Sequence, residues 1–86
     1  DVLYKLALLY ENQHDKTSER TTLEKILELD PSHIDAKYQL ALLLERQGNK
    51  EEALKLYKEI ESVDFNYKNI RENIQMLTTE GESPSL

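Results

Sequence analysis

Apolar residues recur along this chain at helical spacing, in short bursts separated by polar breaks. Leu3, Leu6, Ala7 and Tyr10 fall at i, i+3, i+4 and i+7, one face of a helix. Leu40, Ala41 and Leu44 repeat the figure, with Lys37 in the place of Leu3. A second amphipathic run follows each of these: Leu23, Ile26 and Leu27 in the first case, Ala53, Leu54, Tyr57 and Ile60 in the second. Ile70, Ile74 and Leu77 mark one more run, so the pattern predicts five helices, the last over about residues 67–79. The first four form two pairs, each an outgoing helix and a returning one.

The breaks carry turn chemistry. Gly48 follows the third helix, where a positive φ costs glycine nothing, and Asn49 with Glu52 has capping-box spacing for the helix beyond. Asp30-Pro31 closes the first pair, because proline restricts the residue before it, and Ser32 is placed to cap what comes next. Asp64 or Asn66 offers a cap before the fifth helix. The closing residues 80–86, EGESPSL, have no periodicity and are expected to form a disordered tail.

The two pairs are copies. Residues 1–34 laid over 35–68 without gaps agree at 11 positions: Asp1, Tyr4, Leu6, Ala7, Leu8, Leu9, Glu11, Gln13, Lys16, Ile26 and Asp30. A fixed period of this size is the mark of stacked helical units, each of which buries its apolar face against a neighbour. The expected fold is therefore all-α, a superhelical solenoid of antiparallel helix pairs.

Composition narrows the chemistry. The chain has no Cys, so disulfides, thiolate metal sites and cysteine nucleophiles are excluded. Its net charge of −6, from 17 acidic and 11 basic residues, argues against nucleic acid or anionic lipid as partner. An apolar or basic segment of another protein fits better. The longest apolar run, Leu40 to Leu44, is far short of a bilayer span, and no charged-then-apolar leader opens the chain. A soluble, cytoplasmic protein is expected; the opening Asp1 suggests an excised piece, with any targeting segment outside it. His14 and His33 stand in separate turns without metal-ligand spacing, and Gly48 and Gly81 stand apart, with no phosphate-binding loop. Glu51, Glu52, Glu59 and Glu61 lie among Lys50, Lys55 and Lys58, where pairing along a solvated helix accounts for them. No cofactor, metal or catalytic group is expected.

With Leu40, Ala41, Leu44, Gly48, Ala53, Tyr57 and Ile60 in one unit, and Leu6, Ala7, Tyr10, Leu23, Ile26 and Pro31 in the other, the chain resembles the tetratricopeptide repeat family. The resemblance divides the chain into repeat one at 1–33, repeat two at 34–67 and a capping or partial third-repeat helix at 67–79. Three positions depart from the family pattern. His14 stands where repeat two has Gly48; His tolerates positive φ better than most residues. Glu19 stands where repeat two has the small Ala53, and an unpaired carboxylate cannot be buried there, so the second helix is expected to start late, near Ser18, or to splay. Phe65 replaces the closing proline and is expected to pack as an apolar plug.

The resemblance implies a non-enzymatic scaffold whose first helices line a concave groove for a peptide or helix of a partner. By position the groove residues are Asp1, Tyr4, Leu8, Glu11 and Asn12, then Asp35, Tyr38, Leu42, Glu45 and Arg46, with Asn69, Glu72 and Met76 from the fifth helix. Tyr and Leu rungs bordered by carboxylates suit apolar anchors and basic side chains. Tyr4, Leu8, Tyr38 and Leu42 serve equally well as core, while Leu9 and Leu43 are expected to be ordinary packing. The Lys and Arg clamp with which some relatives grip chaperone tails is missing: Tyr4, Leu8, Gln39, Asn69 and Asn73 hold those places. The alternative is a structural segment of a longer solenoid, or a module that self-associates through its ends.

Overall fold

A computed structural model of the protein describes the backbone of residues 2–81 and the side chains of residues 2–78. Among the described residues there are five helices and no strand: α1 (Val2–Asn12), α2 (Lys16–Leu29), α3 (Ile34–Arg46), α4 (Lys50–Val63) and α5 (Ile70–Gly81). Each packs chiefly on its neighbours in the chain, and the array extends 47 × 27 × 19 Å. The fold is the all-α helical repeat that the apolar spacing implied.

The turn within each unit is the same structure written twice. Asp15 N–H donates to Tyr10 O and Asn49 N–H to Leu44 O, closing matching six-residue Schellman loops. The residue at the left-handed position is His14 at φ 59° in one and Gly48 at φ 86° in the other. The turn between units also repeats. Asp30 and Asp64 each end a helix, and each side chain accepts from the backbone two residues on, at Ser32 and Asn66.

One continuous core runs through the stack. Leu23 and Ile26 of α2, Leu40, Ala41 and Leu44 of α3, Tyr57 and Ile60 of α4, and Ile70 and Leu77 of α5 are all buried. Each large aliphatic side chain so removed from water contributes about 1.5–3 kcal/mol. Ala7 and Ala53 keep the paired helices close, since a larger side chain would hold them apart.

Several local expectations are corrected. The second helix does not start late: α2 begins at Lys16, capped by Asp15, whose carboxylate accepts from Ser18 N–H at 3.2 Å. Ser32 does not cap α3 but bonds back to Asp30; His33 takes the role, its Nδ1 accepting from Ala36 N–H at 3.0 Å. Asn49 precedes α4 without a side-chain cap bond, so the capping box does not form. Neither Asp64 nor Asn66 caps α5, because the helix begins only at Ile70. Phe65 is no plug; it is exposed, with the Arg71 guanidinium 5.6 Å from its ring centre. Leu43 is buried, but Leu9 is half open to solvent. Residues 80 and 81 continue α5, and the rest of the expected tail, 82–86, lies outside the described residues.

Candidate functional site

The odd-numbered helices share one face, and long-range polar bonds cross it at repeat-related places. Asn73 Nδ2 of α5 donates to the Tyr38 hydroxyl of α3 at 3.0 Å, and one unit back the Gln39 side chain of α3 acts on the Tyr4 hydroxyl of α1, holding down the rise of its pKa. Both pairs obey the same register, because the displacement that carries Tyr4 to Tyr38 carries Gln39 to Asn73. Tyr38 is thereby anchored by the next inner helix. The ring contacts repeat as well: Tyr4 meets His33 at 5.5 Å between centroids, and Tyr38 meets Tyr67 at 5.4 Å. Tyr38 also leans on the buried Tyr57 at 5.9 Å.

Among the residues assigned to the groove, Tyr4, Tyr38 and Leu42 pack on the core with one side and remain half-buried, while Leu8 is half-buried between solvent and helix. Asp35 is exposed and accepts a hydrogen bond from the Tyr67 hydroxyl. Met76, Asn69 and Glu72 are exposed on α5 or just before it, and Asp1 lies outside the described residues. Glu45 and Arg46 make inward commitments that sequence reasoning missed. Glu45 accepts from the fully buried Tyr57 hydroxyl at 2.8 Å. Arg46 reaches Glu11 at 3.3 Å and the buried Glu19 at 3.5 Å, so it ties the end of α3 to both helices of the first unit.

The electrostatics follow from burial. Desolvation pushes the Tyr4 hydroxyl up from its usual range; Asp35 adds to this, the Gln39 bond opposes it and Glu11 adds further. Tyr57 and Tyr67 are also driven upward, first by burial and then by the hydrogen bonds to Glu45 and Asp35. All three phenols therefore stay neutral and act as donors or acceptors, not as charges. No group of three or more His, Asp or Glu among the described residues could hold a metal ion. His33 is half-buried as the α3 cap and the ring partner of Tyr4. No helix among the described residues is long and apolar enough to cross a membrane.

Comparison with known proteins agrees with this architecture. The family model described as Tetratricopeptide repeat matches residues 8–74, which span the second half of α1 through the first turn of α5. No curated protein matches the chain. Members of the matched family generally serve as protein-interaction modules and are typically not enzymes. With a matching family model over most of its length and the same two-helix unit written twice in sequence and structure, the chain belongs to the tetratricopeptide repeat family.

Proposed function

We propose that the face shared by α1, α3 and α5 is a concave groove that binds an extended or helical segment of a partner protein, without catalysis. Tyr4, Leu8, Glu11, Asp35, Tyr38 and Leu42 supply the surface, with Met76 at the α5 edge and Glu45 and Arg46 at the far rim. The observation that carries the reading is the clamped Tyr38, with Tyr4 at the matching place one unit back. A ring whose hydroxyl is already tied to the next helix loses little freedom when a ligand packs on it, and such preorganised aromatic anchors are efficient binding groups. The acidic residues around them favour a basic or apolar segment over an acidic one. At the α5 end, Ile70 and Leu77 are sealed against α4 while Arg71, Glu72 and Gln75 face solvent, which favours a groove over end-to-end stacking there.

The test is selection of binders from a random peptide library, followed by mapping of each on the amide NMR spectrum of the protein. Shifts should concentrate at Tyr4, Leu8, Tyr38, Leu42 and Met76. Binders that map instead to the outward faces of α2 and α4 would sink the reading.

A further inference from the structure

The turn before α5 departs from its counterpart before α3 at one residue. The two turns agree through the hydrogen bonds His33 N–H to Asp30 O and Tyr67 N–H to Asp64 O. Ile34 then opens α3 directly, whereas its repeat counterpart Lys68 takes a left-handed φ of 44° and delays α5 to Ile70. That conformation is unfavourable for a lysine. The Lys68 side chain lies back over the inner face: Nζ stands 4.9 Å from the centre of the Tyr38 ring and 5.3 Å from that of Tyr67. The two rings meet nearly edge to face, at 66°, so a cation over one is also within reach of the other. Asp35, bonded to the Tyr67 hydroxyl, adds a carboxylate to the same cluster and also acts on Tyr4. Lys68 itself is exposed and makes no ion pair among the described residues.

We infer that the Tyr38–Tyr67 pair, with Asp35 beside it, is a binding site for a lysine or arginine side chain of the partner segment, and that Lys68 occupies it in the free protein. This deepens the groove reading above and rests on it for the identity of the ligand as a peptide. The chain's own cation shows which chemistry the rings accept. The net charge of −6 attracts the same class of ligand from a distance. Lys68 is a displaceable occupant, because an exposed ring contact is weak and holding a long side chain over it costs rotamer entropy. A partner's cation, carried on a segment already bound along the Tyr and Leu rungs, takes its place and releases Lys68 to solvent. The competing use of Lys68 is as an anion ligand together with Asn66, Asn69 and Arg71, which line a depression that Glu72 also borders. The position of Nζ over the rings, and the Glu72 carboxylate in the lining of that depression, favour the first use.

The experiment titrates N-acetyl-lysine methylamide and N-acetyl-arginine methylamide into the protein, with N-acetyl-norleucine methylamide as the uncharged control. NMR follows the Tyr38 and Tyr67 ring protons and the Lys68 ε-methylene. Free protein should show the ε-methylene shifted upfield by the rings. The cationic probes should return it to its ordinary position while moving both ring signals, and norleucine should do neither. In Lys68→Met the cationic probes should bind about threefold to tenfold more tightly, since the resident competitor is gone. The ε-methylene readout uses the unaltered chain and so holds whether or not the variant folds. A Lys68 signal that stays put while probe binds, equal binding of norleucine, or unchanged affinity in Lys68→Met overturns the proposal. So does binding of N-acetyl-phosphoserine methylamide that disappears in Lys68→Met, which would make Lys68 an anion ligand. Library peptides that map to the inner face without any preference for Lys or Arg would defeat this inference alone. Peptides that map elsewhere would defeat the groove and leave the cation titration to be judged separately.

Discussion

Glu19 shows how a single residue can look wrong for its place and still be accommodated. Its side chain is 2% exposed at the crossing of two helices, where the second unit has alanine. Burial pushes its carboxyl above the ordinary carboxylate range; Arg46 pulls it back, Glu11 adds to the rise and Lys16 opposes it. A carboxylate with a raised folded-state pKa contributes most to stability below its unfolded pKa, and that contribution is lost as pH rises through the folded value. At neutral pH the guanidinium of Arg46 is what makes the buried charge tolerable. Replacing Arg46 by Met should therefore cost about 1–3 kcal/mol at pH 7, and clearly less near pH 4, where Glu19 can take up a proton. Urea unfolding at the two pH values measures this. Equal losses at both would mean that Arg46 contributes only by packing.

Helix ends decide more here than helix interiors. His14 and Gly48 occupy the same left-handed position of the same turn, so the chain contains its own control for backbone strain. A Cβ added at Gly48 would meet open space, which leaves conformational strain as the whole cost of substitution. Gly48→Ala should destabilise by about 1 kcal/mol, and His14→Gly should stabilise by about 0.5–1 kcal/mol. Paired urea midpoints would check both. A destabilised His14→Gly would show that the imidazole makes a stabilising contact of its own. The cap of α3 uses a different group: a ring nitrogen stands where Ser, Asp or Asn usually does, and the same His33 ring also meets Tyr4.

At the scale of the molecule, a linear stack has few contacts that skip a helix, so stability propagates from neighbour to neighbour. The terminal helix is held by what it buries on α4, chiefly Ile70 and Leu77. Ile70→Ala should cost about 2–4 kcal/mol, concentrated at that end. Hydrogen exchange should show α5 losing protection while α1 and α2 keep theirs. A uniform loss over all five helices would mean that the two units unfold as one body. The Tyr38 to Asn73 bond is part of the same attachment, so the helix that closes the core also positions the proposed binding surface.

The helices, their pairing into two units and the left-handed turn positions were legible in the sequence, because each rests on local spacing or on the backbone freedom of one residue. The start of α5 was not, since its delay comes with a left-handed backbone at Lys68, a residue type that gives no sign of it in the sequence. That Tyr4 and Leu8 recur as Tyr38 and Leu42 could be read from the repeat, whereas their assignment to a groove came only from the family resemblance. The inward commitments of Glu45 and Arg46 could not, because their partners, Tyr57 and Glu19, belong to α4 and α2. Apolar periodicity is a property of one helix, whereas a polar group finds its partner across the space between helices. The sequence by itself thus determined which faces are buried and how often the unit repeats. Only the tertiary structure decided which charges and hydroxyls remain available on the inner face.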